Sequence, residues 1–520
     1  MKLFRFFWVL FFLLAAHTAS AVDPHAVFRR HYQAIGGIDR LKALESSYSE
    51  GSIRYDGLSG TFRQWEKRPI LSRLEEDFST IQQVSGDDGA FSWLLDTNGR
   101  VLVYRDRETQ LRRDLARRME NFEHLDPTSK IFRLSYAGAT RLHNRPHHLV
   151  RLENTLNSDI GLYFFDTATF MLSRMEVRLP DVTTITDAGD FRSIRGFVVP
   201  FDETTRILPR GKRTHTRLTT YVPDAKTDPA LFQIPRSTKD FTLDPGKGPV
   251  SFLRTGGNIF LPVNVNGQQN YWLLDSGASM TIVDRDYGEK NGQILPGSIQ
   301  GFGFGETFSL GFARLPGFHS GGLAIGPQTV FAFPGLSQRV AQPRIAGILG
   351  YDFLSRPVSR IDFTEKTIRF FDPDTFHYQG DGVTLEAPLK YRTFAVPATL
   401  DGVHSGHWSL DLGADDTSLF YPFAAQHGYL NQPGAERESR GLAGHFSERV
   451  IQAKTLAIGP FVINGPRIAV PLEAGTGSTA IGEMLGNIGI ATLSNFVVWL
   501  DYQRQQVILE KKSVGAVEKK

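Results

Sequence analysis

One phrase occurs twice in this chain. It reads Trp272-Leu273-Leu274-Asp275-Ser276-Gly277-Ala278-Ser279 and then Trp408-Ser409-Leu410-Asp411-Leu412-Gly413-Ala414-Asp415-Asp416-Thr417. In each copy an apolar run reads as a buried strand, and the glycine after the aspartate lets the chain turn where a Cβ would collide. Each aspartate is therefore expected on a tight loop at the end of a rigid strand. The phrase is part of a longer duplication. Ile259-Phe260-Leu261-Pro262-Val263 is answered by Phe394-Ala395-Val396-Pro397-Ala398, and Leu323-Ala324-Ile325-Gly326-Pro327 by Leu456-Ala457-Ile458-Gly459-Pro460. Ile348-Leu349-Gly350 is answered by Asn487-Ile488-Gly489; Gly350 lies 75 positions after Asp275, and Gly489 lies 78 after Asp411. Asp362 and Asp501 each follow 12 positions later, inside the hairpin-like stretches 359–371 and 497–510. Two such halves folded towards each other bring two carboxyl groups within hydrogen-bond reach.

The rest of the 520 residues is too much chain for these halves alone, and the length predicts about three domains. A formal net charge of +3 with no long basic block gives nucleic-acid binding no electrostatic support. Residues 1–21 read as a cleavable export signal. Lys2 and Arg5 make a basic start, Phe6 to Ala16 is an apolar run too short to span a bilayer, and Ala19-Ser20-Ala21 offers small residues for cleavage. No other stretch is apolar enough to cross a membrane. There is no cysteine, which excludes disulfides, thiolate catalysis and Cys-type zinc sites. An exported chain without cysteine suits a bacterial periplasm, or secretion.

Residues 22–236 read as a first domain. Asp23-Pro24 caps a helix carrying Phe28, Tyr32 and Ile35, which Gly36-Gly37 stops. A short second helix holds Leu41 and Leu44, and alternating strand-like runs follow to residue 178. Between them Leu111, Leu115, Met119 and Phe122 make the apolar stripe of an arginine-rich helix, which reads as core packing. His143, His147 and His148 are the one histidine cluster, but Pro146 keeps them off a common helix face and no carboxylate completes a metal set. Residues 237–250, rich in Lys, Asp, Pro and Gly, read as a linker to two lobes at 251–380 and 381–513, with a tail at 514–520.

Several phrases of the first domain resemble the LolA/LolB-like lipoprotein-carrier fold: Tyr32-Gln33-Ala34-Ile35-Gly36-Gly37, Phe165-Asp166-Thr167-Ala168-Thr169, Asp190-Phe191-Arg192 ahead of Gly196 and Pro200-Phe201, and Asp228-Pro229-Ala230-Leu231-Phe232. The resemblance implies a curved antiparallel sheet over helices, with an apolar concave face for a lipid or acyl ligand. The duplicated part resembles the pepsin and retroviral-protease superfamily. The residues that carry this are Leu274-Asp275-Ser276-Gly277-Ala278 with Ile348-Leu349-Gly350, and Leu410-Asp411-Leu412-Gly413-Ala414-Asp415-Asp416-Thr417 in the second copy. The whole chain is then expected to be mainly β: a LolA-like sheet followed by two tandem retropepsin-like β-barrel lobes related by a pseudo-twofold.

What the resemblance implies for chemistry is an aspartic endopeptidase without metal or cofactor. Two carboxyls in one site cannot easily both ionise, so they share a proton; one activates a water and the other protonates the peptide carbonyl. Asp275 and Asp411 are the catalytic pair, and Ser276, Gly277 and Gly413 support it. Ser279, Asp415 and Asp416 match positions that hold substrate backbone. Glycine-rich flaps are expected at Gly301-Phe302-Gly303-Phe304-Gly305, with Gly303 and Phe304 against substrate, and at Gly441-Leu442-Ala443-Gly444-His445-Phe446. Asp286, Asp352, Asp362 and Asp501 read as surface or turn carboxylates. One position departs from the pattern, which has a hydroxyl after each aspartate: the second copy has Leu412. The pair is then held differently, or is less active, or is vestigial. Four readings stay open: a protease acting on peptides or unfolded segments, a protease fold that grips peptide without cutting it, an envelope carrier of lipid or lipoprotein working through the first domain, and a combination in which the first domain is a substrate adaptor or a cover over the cleft.

Overall fold

A computed structural model describes residues 22–179, 182–209, 211–302, 307–339, 343–442, 444–474 and 484–512. The expected export signal at 1–21, the tail at 514–520 and the flap residues Gly303 and Phe304 lie outside the described residues.

The first part is built on one thirteen-stranded antiparallel sheet. Strands from 46 to 104 run outward to one edge, those from 132 to 223 return from the other, and Ser46–Tyr55 pairs with Lys212–Pro223 where the two series meet. The helix Pro24–Ala34 starts as the sequence predicts, with Asp23 accepting from the His25 amide and Pro24 in the first turn. It packs Val27 and Phe28 against Leu115 of the helix Arg107–Glu120 and against Phe132, Val150, Tyr163 and Phe165 of the sheet. His124 is fully buried there; its Nε2 meets the Tyr32 hydroxyl at 2.9 Å, and burial pushes its pKa down to about 4. His147 is buried with its Nδ1 at 2.8 Å from the Arg145 carbonyl, and among the described residues no His, Asp and Glu group together in a metal set.

The expected apolar concave face is only partly apolar. Register places Glu76 opposite Phe62, and Glu203 on the same face as Ile53 through Thr216. Both carboxyls titrate above their ordinary range because burial disfavours the charge. The apolar end of that face (Ile53, Leu58, Phe62, Phe78) does not stand open. It packs on Phe312, Leu295, Ile299 and Phe331 of the first lobe.

The hairpin Gln293–Phe302/Thr307–Leu315 of that lobe is shaped for this contact. Its ladder slips between Leu295 and Ile299, and the extra residues Pro296, Gly297 and Ser298 bulge towards the first sheet. Thr80 donates to the Pro296 carbonyl at 2.8 Å. Gly57 comes so close to Ser298 that a Cβ there would lie 2.7 Å from its carbonyl oxygen. Nearby, Asn98 donates to the Thr329 carbonyl at 2.8 Å and accepts from the Thr329 amide at 2.9 Å. Within 237–250, read from sequence as a linker, Phe241–Leu243 forms an edge strand on Leu323–Ile325, and Asp240 takes two bonds from the fully buried Arg356.

The duplicated part contains an eleven-stranded and a ten-stranded sheet, one per lobe. A six-stranded sheet joins them: the hairpins Val358–Asp362/Thr367–Phe371 and Phe496–Asp501/Gln506–Lys511 meet through antiparallel pairing of Val358–Asp362 with Phe496–Asp501. In each lobe the aspartate-bearing strand runs parallel to the strand that ends at the later glycine. Leu273 lies beside Ile348 and Leu274 beside Leu349; Ser409 lies beside Asn487 and Leu410 beside Ile488. The two halves therefore place Asp275 and Asp411 at equivalent ends of equivalent strands.

Candidate active site

Each aspartate is fixed by the same local bonds. The Asp275 amide donates to the Leu349 carbonyl at 3.0 Å, and the Asp411 amide to that of Ile488 at 3.1 Å. Asp275 Oδ1 accepts from the Gly277 and Ala278 amides at 2.8 and 3.0 Å, and Asp411 Oδ1 from the Gly413 amide at 2.8 Å. Beneath the loops, the Gly350 amide donates to Thr281 Oγ1 at 3.1 Å and the Gly489 amide to Thr417 Oγ1 at 3.2 Å. Thr281 and Thr417 each lie six positions after their aspartate, so the repeat extends to this second tier.

The two carboxyls face each other across the junction of the lobes, close enough to act on each other's titration. Each also faces the opposite loop's glycine: a Cβ on Gly277 would sit 2.8 Å from the Asp411 carboxyl carbon, and one on Gly413 would collide with Asp275. The glycines are required by this close approach; neither adopts the left-handed backbone that would by itself demand glycine. Both aspartates keep partial exposure while the protein surrounds them closely. Burial pushes the Asp275 carboxyl well above the ordinary range, with the Asp411 charge adding to it; burial also raises Asp411.

The missing hydroxyl has a definite consequence. Ser276, fully buried, donates to the Leu410 carbonyl at 2.8 Å and accepts from the Leu412 amide at 2.9 Å, so one side chain ties both loops together. Leu412 sends no polar group back; its side chain is fully buried in the main apolar core instead. The junction thus has one hydroxyl clasp, with hydrophobic burial where a second would be.

The remaining expected positions scatter around this centre. Ser279 is exposed, and its carbonyl accepts from Arg392 Nη1 at 3.1 Å. Asp415 is exposed and lies against the Gly256-Gly257 turn of the first lobe. Asp416 is ion-paired with Arg437, which also holds Glu448. Of the second flap, Leu442 packs into the first lobe's apolar patch while its carbonyl accepts from Arg339 Nη1 at 2.6 Å. Asp286 is exposed, and Asp362 and Asp501 cap turns. Asp352 corrects the reading as a surface or turn group. It is 2 % exposed, its Oδ1 accepts from the Thr281 amide at 2.6 Å, and burial raises its pKa.

Sequence reasoning missed two residues. Asn487 is 2 % exposed and its Nδ2 donates to Asp411 Oδ2 at 3.2 Å, whereas the matching Ile348 of the first lobe is apolar. The signal was present as a polar residue in an apolar-apolar-Gly element. Tyr502 is buried near the pair, stacked edge-on to Tyr351 at 5.5 Å, and burial with the nearby charges of Tyr351, Asp275 and Asp411 pushes its hydroxyl well above the usual range.

Two aspartates brought together from duplicated lobes are what an aspartic-protease fold places at its centre. Residues 261–353 and 396–485 match the family described as aspartyl protease, one segment in each lobe. Among solved structures the chain is similar to a DUF1329 family protein from Desulfovibrio piger, at 14% identity over 41% of this chain and 98% of that one, with a TM-score of 0.30. It is also similar to a putative outer membrane lipoprotein-sorting protein domain from Vibrio parahaemolyticus, at 9% identity over 40% and 95% with a TM-score of 0.29. A LolA superfamily protein from Nitrosomonas europaea is similar at 13% identity over 41% and 98%, with a TM-score of 0.29. No curated protein matches the chain.

Proposed function

We propose that the chain is an exported aspartic endopeptidase in which Asp275 and Asp411 activate a water against a peptide bond. The observation that supports this most is the close approach of the two carboxyls, each against the opposite loop's glycine and each already held by its own loop's amides. The anionic member takes a proton from the water while the protonated member donates to the carbonyl oxygen, so no covalent intermediate is needed. The pair titrates as a unit, but Asn487 biases it. An amide N–H directed at Asp411 Oδ2 favours the ionised form of Asp411 and leaves the shared proton on Asp275. Export, to the periplasm or beyond, is supported by the basic-then-apolar start of the sequence; among the described residues no helix is long and apolar enough to cross a membrane. Peptides or unfolded segments are the substrates. A lipid or acyl ligand in the first part has less support, because the apolar end of its sheet is filled by the first lobe's hairpin.

Incubating the protein with an unfolded protein such as casein across about pH 3–7 tests this, since that range spans carboxyl titration from its ordinary value upward. Cleavage by the wild type and none by Asp275→Asn is expected. Peptide binding without cleavage at any pH would leave only the reading of a peptide-gripping module. Asn487→Ile makes a sharper test. Without its donor Asp411 protonates at higher pH, so the acid limb of the kcat/KM profile should move upward and the maximum fall about tenfold, the scale of one hydrogen bond to a charged group. An unmoved acid limb would sink the proposed bias.

A further inference from the structure

The repeat pairs the two lobes position by position, and one set of pairs changes character. In the first lobe Leu273, Ile282 and Ile348 lie side by side on three neighbouring strands, with Phe260 opposite Leu273. They form one apolar patch with Leu310, roofed by Ile299 and Phe308 of the hairpin, by Leu442 of the other lobe's flap, and by Ala278 of the aspartate loop. The patch therefore borders the loop that carries Asp275. In the second lobe the same four positions are Ser409, Ser418, Asn487 and Ala395, in the same register: Ser409 and Ser418 both pair with Asn487, and Ala395 pairs with Ser409. Every one is smaller or more polar than its partner.

These groups are also unfinished. Ser409 is 1 % exposed and Asn487 is 2 % exposed, yet among the described residues Ser409 Oγ and Asn487 Oδ1 have no hydrogen-bond partner. Leaving a buried polar group unpaired is costly, so two adjacent ones in one wall point to a ligand that completes them. The patch borders the aspartate pair through Asp411, whose Oδ2 takes the Asn487 Nδ2 donor, and it reaches partly exposed positions at Asp411 and Ser418.

We infer that the second lobe carries a polar side-chain subsite for a carboxamide, the side chain of glutamine or asparagine, opposite an apolar subsite in the first lobe. This rests on the proposed peptide-hydrolase reading. A carboxamide matches both unpaired groups at once: its N–H₂ would donate to Asn487 Oδ1 and its carbonyl would accept from the Ser409 hydroxyl. The pseudo-twofold that relates the aspartates puts the two subsites on opposite sides of the bond between them. The preferred cleavage is then between an apolar residue and an amide-bearing one, not between two apolar residues.

The test uses the full chain and one peptide sequence carrying Leu–Leu, Leu–Gln or Gln–Leu at its centre. Cleavage is read by mass spectrometry, and binding is measured on the Asp275→Asn protein. One mixed pair is expected to exceed Leu–Leu by about tenfold or more in both readouts, because a site built to hydrogen-bond rejects a group that cannot. Ser409→Leu with Ser418→Ile, which installs the first lobe's residues, should turn the preference to Leu–Leu. Ser409→Ala, with its melting temperature checked, covers the case in which that pair fails to fold; it should bring the preference towards parity. Leu–Leu equal to or better than both mixed pairs overturns the subsite while leaving hydrolysis standing, and so does a preference that Ser409→Ala leaves unchanged. Tighter binding of a mixed pair with no cleavage of any peptide supports the subsite and ends the hydrolase reading.

Discussion

Asp275→Asn and Asp411→Asn are each expected to lower kcat/KM by about 10³–10⁴-fold, because either change removes one of the two groups that exchange protons with water and substrate. The two losses should be alike, and the double variant little worse than either, since the pair acts as a unit. Stability should move the other way. Both carboxyls titrate above their ordinary range in the folded protein, chiefly through burial. A raised folded pKa means that stabilisation is fully present while the group is protonated, below the unfolded value of about 4. That stabilisation is lost as pH rises through the folded value. At neutral pH the wild-type pair is therefore a burden that Asn relieves. Thermal melts should show Asp275→Asn more stable than wild type at pH 7, with the gap closing at acidic pH. A variant that is less stable at pH 7 and equally inactive would mean the carboxyls hold the loops instead of straining them.

Ser276→Ala is the second large effect. The hydroxyl is the only side-chain tie described between the two aspartate loops beneath the carboxyls, and it satisfies a buried carbonyl and a buried amide together. Its loss leaves both unpaired, which costs about 2–6 kcal/mol by the usual penalty for two such groups. Activity should fall by about a hundredfold, the scale of a misplacement of the reacting groups by roughly an ångström. Threonine at 276 keeps the hydroxyl and should keep most activity. Comparing denaturant midpoints and kcat for Ala and Thr separates the clasp from simple loss of volume. If Ala costs no more than Thr, then Leu412 and its apolar surroundings hold the junction without it.

The duplication was readable because its landmarks recur at nearly fixed distances, and those distances reflect a shared path of chain: strand, aspartate loop, returning strand, glycine. The helix at Pro24–Ala34 was readable for a local reason, since its cap and first-turn proline are adjacent in sequence. Asp352 was not. Its depth is decided by packing against Thr281, 71 positions away, and nothing beside it in sequence differs from a turn. The docking of the first sheet on the first lobe was invisible for the same reason. Asn98 and Thr329, which exchange two bonds, are 231 positions apart and carry no shared pattern. Asn487 lies between these cases: the repeat located it, but only the geometry connected its amide to Asp411.

The bulge at Pro296, Gly297 and Ser298 makes the two halves mechanically unequal. One hairpin is seated on a neighbouring sheet along its apolar side. Its counterpart ends in the edge strand Ala435–Arg440, five of whose six residues face solvent. Amide hydrogens of 307–315 should accordingly exchange with deuterated solvent much more slowly than those of 435–440. A polypeptide entering between the lobes would then slide past a stationary rail on one side and displace a loose arm on the other.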